Sequence, residues 1–135
     1  MSIQPRAPQP EGLNLEFYEH AASGTLHIQQ CSDCGHFRHP PRYFCPVCFS
    51  SHYRWTPSEG RGTLFSWTVT HFPYDRGWAE GLPYATLVVE LDEGVRLIGA
   101  DGTQDIAVLS PGLRMVGQLT QDSYGFPFLT FVEHP

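Results

Sequence analysis

Along the second half of the chain, apolar and polar residues trade places with a period of two. In "RGTLFSWTVTHF", residues 61–72, Leu64, Ser66, Thr68 and Thr70 fall on one side and Phe65, Trp67, Val69 and His71 on the other. That is the alternation of a strand with one covered face. "YATLVVEL" and "VRLIGAD" follow, separated by "DEG", whose glycine suits a hairpin turn. "TQDIAVL" reads as a short helical or irregular link ending at the turn "SPG". "RMVGQLT" and "FPFLTFVEH" are the last two strands, joined by "QDSYG". Five strands with a link between the third and fourth match the Greek-key barrel of the OB-fold, although other small barrels fit the same pattern.

Upstream the texture differs. "NLEFYEHAASG" reads as a short helix, with Asn14 as N-cap, Glu16 in the first turn and Gly24 closing the C-terminus. Leu15, Tyr18 and Ala22 share one face at helical spacing. So short a helix must pack on its own domain or on a partner chain. "LHIQQ" leads as a strand into one Cys-x-x-Cys pair and "YRWTP" leaves a second, the arrangement of a rubredoxin-like zinc ribbon. The expected architecture is mainly β. Residues 1–13 form a Pro-rich arm, 14–58 the helix and zinc ribbon, and 59–135 the five-stranded OB-fold barrel.

Composition narrows the function classes. The 135 residues are 41% hydrophobic, with nine Phe, six Tyr and three Trp, enough for a modest core; thirteen Gly and twelve Pro fit many turns. A formal charge of −6 weighs against a general nucleic-acid binder, because phosphate backbones demand surplus cations. All eight basic residues are Arg, which removes lysine Schiff-base chemistry from this chain and suits forked recognition of phosphate or carboxylate. No apolar run approaches the roughly 18 residues of a membrane helix, and "MSIQPRAPQPEG" lacks the apolar core of a secretory signal. A soluble, cytoplasmic protein is expected, with no membrane partner.

The four cysteines are Cys31, Cys34, Cys45 and Cys48. Each Cys-x-x-Cys turn presents two thiolates on one side of a tight loop, and two such loops complete a tetrahedral S4 site. Three readings compete: structural zinc, two disulfides, and a redox or iron centre. Four thiolates leave no open position for a reactive water, so zinc here would be a clip. Gly35 follows the first pair where a permissive residue helps the turn; Phe49 stands at the matching place after the second, making that knuckle less regular.

Between the pairs, "GHFRHPPRYF" is basic and aromatic. Residues 31–54 carry three arginines, Arg38, Arg42 and Arg54, against Asp33 alone, a formal +2; the remainder carries five against thirteen acids, −8. With Phe37, Tyr43 and Phe44 interleaved, this stretch suits a phosphate, an acidic partner or single-stranded nucleic acid, or reads plainly as solvated arginines. The loop "FPYDRGWAEGLPY" adds Tyr74, Arg76, Trp78 and Tyr84, Trp78 either anchoring a partner or folding back on the barrel. No convincing catalytic set appears. Ser66, His71 and Asp75 are only neighbours along a strand and loop.

Taken together, the motifs "GTLHIQQCSDCG", "HPPRYFCPVCFS", "GRGTLFSWTV", "LPY", "LDEGVRLIG" and "PGLRMV" carry a resemblance. The chain resembles the zinc-ribbon plus OB-fold family of acyl-CoA-associated proteins, long catalogued as a domain of unknown function, from about residue 14 to 132. The resemblance implies a helper subunit that accompanies thiolase-like proteins: archaeal acetoacetyl-CoA-forming complexes, bacterial steroid side-chain aldolases, or acyltransferases of phenolic polyketides. In such complexes the thiolase-like partner holds the catalytic residues, and the ribbon and barrel help bind an acyl-CoA or acyl substrate.

Two classes of function follow. In the first, the chain is a non-catalytic subunit of a hetero-oligomer. Its Zn2+ is structural and held by Cys31, Cys34, Cys45 and Cys48, with acyl-CoA as ligand and Arg38, Arg42, Tyr43, Arg61, Trp67, Trp78, Tyr84 and Arg96 as candidate contacts. In the second it is a single-stranded nucleic-acid module, which the charge balance opposes. An independent hydrolase lacks a nucleophile–base pair.

Overall fold

The computed structural model describes residues 6–73 and 75–135; Met1–Pro5 of the expected arm, and Tyr74, lie outside the described residues. Helix α1 (Gly12–Ala21) starts ahead of Asn14, with Glu11 in extended backbone at the N-cap position and no side-chain cap. The buried stripe is Leu13, Phe17 and Ala21, not Leu15, Tyr18 and Ala22. Phe17 sets the phase: its ring packs 5.2 Å from His39 and 6.2 Å from Trp55, which leaves Leu15 41% exposed on the opposite side. Tyr18 instead meets Phe126 at 4.8 Å.

The ribbon is a three-stranded antiparallel sheet with β1 (His27–Cys31) between β2 (Phe37–Arg38) and β3 (Tyr53–Pro57). β2 lies inside the stretch expected to be loop.

The remaining strands are β4 (Arg61–Thr70), β5 (Tyr84–Leu91), β6 (Arg96–Asp101), β7 (Arg114–Gln121) and β8 (Pro127–Glu133). They close a barrel in the order β4-β5-β6-β8-β7, the OB-fold as expected. Closure comes from β4 against β7, with Gly62 opposite Met115, and from parallel pairing of β6 with β8 at Ala100 and Thr130.

A β-bulge between Leu64 and Ser66 breaks the simple alternation of β4. Leu64 points into the core, Phe65 is 49% exposed, and the inward phase then passes to Trp67 and Val69. One extra residue exchanges the two faces of everything after it. Leu64 therefore shares its face with Trp67 and Val69 rather than with Ser66 and Thr68.

Leu64, Leu87, Val89, Leu97, Met115 and Phe131 fill the barrel, and Leu26 and Ile28 from the ribbon side join the same core. Phe131 fits because the barrel wall is thinned beside it: a Cβ on Gly99 would come 2.7 Å from its ring, and one on Gly117 3.1 Å. Ser58 N–H donates to the Leu26 carbonyl at 2.8 Å and Gly117 N–H to the Gly60 carbonyl at 2.9 Å, fixing the ribbon-to-barrel junction on each side. Among the described residues no helix is long and apolar enough to cross a membrane.

Candidate metal centre and its surroundings

Both cysteine pairs sit on the same local geometry. The N–H of Gly35 donates to the Cys31 carbonyl at 3.0 Å, and that of Phe49 to the Cys45 carbonyl at 2.9 Å. The Cys34 and Val47 amides each approach a sulfur, Cys31 Sγ and Cys45 Sγ, at 3.4 Å. Gly35 has φ 81° and Phe49 φ 64°, so both knuckles close through the left-handed region. The second knuckle is thus as regular as the first. Its departure is one of residue type: a Cβ there costs about 1–2 kcal/mol that glycine avoids.

The four Sγ atoms lie within 4.8 Å of one another, with Cys31–Cys48 and Cys34–Cys45 at 3.6 Å. A disulfide needs about 2.05 Å, so all four are free thiols and the disulfide reading falls. A tetrahedron with metal–sulfur bonds of about 2.3 Å has edges of about 3.8 Å, close to the two 3.6 Å separations. The residues therefore fit a bound metal ion. The Cys34 amide beside its sulfur holds the Cys31 thiol at about 6, below the ordinary range and against the effect of burial.

A polar stitch joins the knuckles. Ser50 Oγ donates to Asp33 Oδ2, His52 Nδ1 lies 3.2 Å from the same oxygen, and Ser32 N–H donates to the His52 carbonyl at 3.0 Å. The Ser50 and His52 bonds keep the Asp33 carboxyl below its usual range.

The inter-knuckle stretch is held from inside. Arg38 is only 4% exposed, so it is not part of a basic surface. Its Nε donates to Gln29 Oε1 at 2.9 Å and its Nη2 to the Arg42 carbonyl at 2.8 Å, with the guanidinium 5.9 Å from the Tyr53 ring centre. Burial favours spending its donors on the chain's own carbonyls, and only Nη1 stays unsatisfied. Gln29, 1% exposed, pairs with both backbone groups of Arg42. What projects outward is the Arg42 side chain, Tyr43 and Phe44.

The other candidates scatter. Trp67 packs inward against the barrel core and stays partly exposed. Arg61 pairs with Glu59 at 3.3 Å. The Arg96 guanidinium lies 3.7 Å above the exposed Phe65 ring. Trp78 folds back on Tyr84 at 5.7 Å and Phe128 at 6.4 Å, yet stays 39% exposed. Ser66, His71 and Asp75 share no hydrogen bond; Asp75 Oδ1 instead accepts from Gly77 N–H. Two open hollows, about 240 Å³ beside Leu26 and Gly117 and about 450 Å³ beside Arg114 and His134, are lined by none of these arginines and tryptophans, although Glu59, the partner of Arg61, borders the first.

Sequence reading missed Gln29, the Asp33–Ser50–His52 stitch and the exposure of Phe49. Only the last left a signal: the residue after each knuckle must turn left-handed, so a phenylalanine there is anomalous.

Residues 19–54 match the ChsH2 rubredoxin-like zinc ribbon domain and residues 55–125 the ChsH2 C-terminal OB-fold domain. The chain is 35% identical over 97 residues to the "Probable enoyl-CoA hydratase alpha subunit" of Thermomonospora curvata, covering 72% of this chain and 30% of that one. It therefore spans about a third of that relative's length. A "DUF35 domain-containing scaffold protein" of Methanothermobacter thermautotrophicus is 28% identical over 109 residues, 73% of this chain and 81% of that one. Among solved structures, a chain of the "Ltp2-ChsH2(DUF35) aldolase" superposes with a TM-score of 0.85 at 28% identity, covering 94% of this chain and 98% of that one.

Proposed function

The chain belongs to the ChsH2 family of zinc-ribbon and OB-fold proteins, and from that premise we propose that it is a non-catalytic accessory subunit of a hetero-oligomer. In this reading a thiolase-like partner carries the catalytic residues, and the present chain supplies part of the surface that holds an acyl-CoA or acyl substrate. The reaction makes or breaks a carbon–carbon bond. The four thiolates hold a structural Zn2+, whose closed shell has no position for a reacting water.

The observation that carries the reading is the match over nearly its whole length to a chain of the Ltp2-ChsH2(DUF35) aldolase. The distribution of chemistry supports it. No nucleophile–base pair forms among Ser66, His71 and Asp75, and the two hollows are open to solvent. A ligand as large as acyl-CoA is normally mostly enclosed. A partner surface would complete such an enclosure.

Titration of acetyl-CoA tests this. The isolated chain is expected to give no saturable heat at micromolar concentration, and its complex with a thiolase-like partner a saturable one. Thioester turnover by the isolated chain would overturn the reading.

A second reading, single-stranded nucleic-acid binding, draws on the Arg96–Phe65 stack beside the β5–β6 face that OB-folds use for oligonucleotides. The charge of −6 opposes it. A salt-dependent shift of labelled oligonucleotide would favour it.

A further inference from the structure

The second knuckle carries an apolar display that the fold does not use. Phe49 is 78% exposed, Phe44 63% and Val47 60%, all in or beside the turn built on Cys45 and Cys48. The matching turn on Cys31 and Cys34 shows the alternative: Ser32 and Asp33 between its cysteines and Gly35 after them, with no apolar side chain. Equivalent backbone, opposite surface chemistry.

Folding does not explain Phe49. Its left-handed φ favours glycine, and its ring gains almost nothing from burial. The Gln29 and Arg38 bonds to Arg42 fix the approach to Tyr43 and Phe44 from within, so the display is held rigid rather than trailing. Rigid exposed aromatics lose little entropy when covered, which suits an interface core.

Charge indicates the occupant. Of the ribbon's arginines, Arg42, adjacent to Tyr43 in the chain, and Arg54 on β3 are exposed, and neither is in an ion pair among the described residues, while the Asp33 carboxylate is occupied by Ser50 and His52. The ribbon of an otherwise acidic chain thus carries unpaired cationic side chains together with this apolar display.

We propose that the second knuckle, through Phe44, Val47 and Phe49, is the plug by which the chain docks into an apolar socket rimmed by carboxylates on its partner enzyme subunit. The inference rests on the accessory-subunit reading and adds the surface and the socket's chemistry.

The test compares wild type with Phe49→Gly and with Val47→Ser, each zinc-loaded, for binding to a thiolase-like partner protein. Phe49→Gly keeps the left-handed turn and relieves it, so zinc content holds and the thermal midpoint does not fall. Affinity for the partner is expected to drop about tenfold or more, and Val47→Ser to weaken it in the same direction. Wild-type binding is expected to weaken with salt, through the unpaired arginines. Wild-type failure to bind overturns both the plug and the accessory-subunit reading. Unchanged affinity in both folded variants overturns the plug alone. A wild-type dimer of this chain that Phe49→Gly makes monomeric would also overturn it, as a self-contact.

Discussion

The side-chain amide of Gln29 pairs with the backbone of Arg42 as one strand residue pairs with another. Its Nε2 donates to the Arg42 carbonyl at 2.9 Å and its Oε1 accepts the Arg42 N–H at 2.8 Å. One buried side chain thus replaces a missing rung of the ribbon sheet, and Arg38 binds to the same two acceptors. Replacing it with leucine strands the Arg42 N–H and takes one of two acceptors from the buried Arg38 guanidinium. Gln29→Leu is expected to lose about 2–4 kcal/mol in denaturant unfolding of the metal-loaded protein, since each orphaned buried group costs about 1–3 kcal/mol. A loss below about 1 kcal/mol would mean that water replaces the amide at little penalty.

His39 makes stability depend on pH. Burial beside Phe17 lowers it to about 4 from its ordinary 6.5. The folded state holds the ring neutral while the unfolded chain takes a proton below about 6.5. Its contribution is therefore complete above that value and falls away as pH drops toward 4, by at most about 3 kcal/mol. Urea titrations at pH 7 and pH 5 should show the loss in wild type and a smaller one in His39→Phe. Equal pH sensitivity in the two would assign the effect to other groups.

A metal ion held by the four cysteines would tie the two knuckles together. Cys45→Ser should lower bound zinc from about one per chain and release hydrogen-exchange protection across residues 31–54, leaving β5 and β7 protected. Full zinc occupancy in that variant would remove Cys45 from the ligand set.

Gly99 is a steric requirement of the barrel. Gly99→Ala forces a methyl to 2.7 Å from the Phe131 ring and is expected to cost about 1–3 kcal/mol. Pairing it with Phe131→Leu should recover part of that, because the flat ring demands the gap. Failure of the double variant to recover anything would point to the Leu129 carbonyl, 3.2 Å away, as the obstacle.

Local pattern carried much of this fold. Period-two alternation found the barrel strands, and β5 spans Tyr84–Leu91 as the pattern has it. Cysteine spacing found the S4 set because four ligands in two tight turns leave little geometric freedom. Where long-range packing decides, pattern failed. The bulge at Phe65 turned Trp67 inward, Phe17 rotated the helix onto a different stripe, and Arg38 was drawn inside by carbonyls that only the folded loop presents. A basic residue in a basic stretch looks solvated until its partners are known. Phe49 was visible in sequence but its meaning was not, because an exposed phenylalanine in a left-handed turn is interpretable only beside its glycine counterpart, Gly35.

Co-expression with a thiolase-like candidate partner, followed by size-exclusion chromatography with light scattering, tests the central claim most directly. The account predicts one co-eluting species containing both chains, with about one zinc per copy of this chain and carbon–carbon bond activity absent from this chain alone. Separate elution of the two proteins, with this chain active on its own, would contradict it.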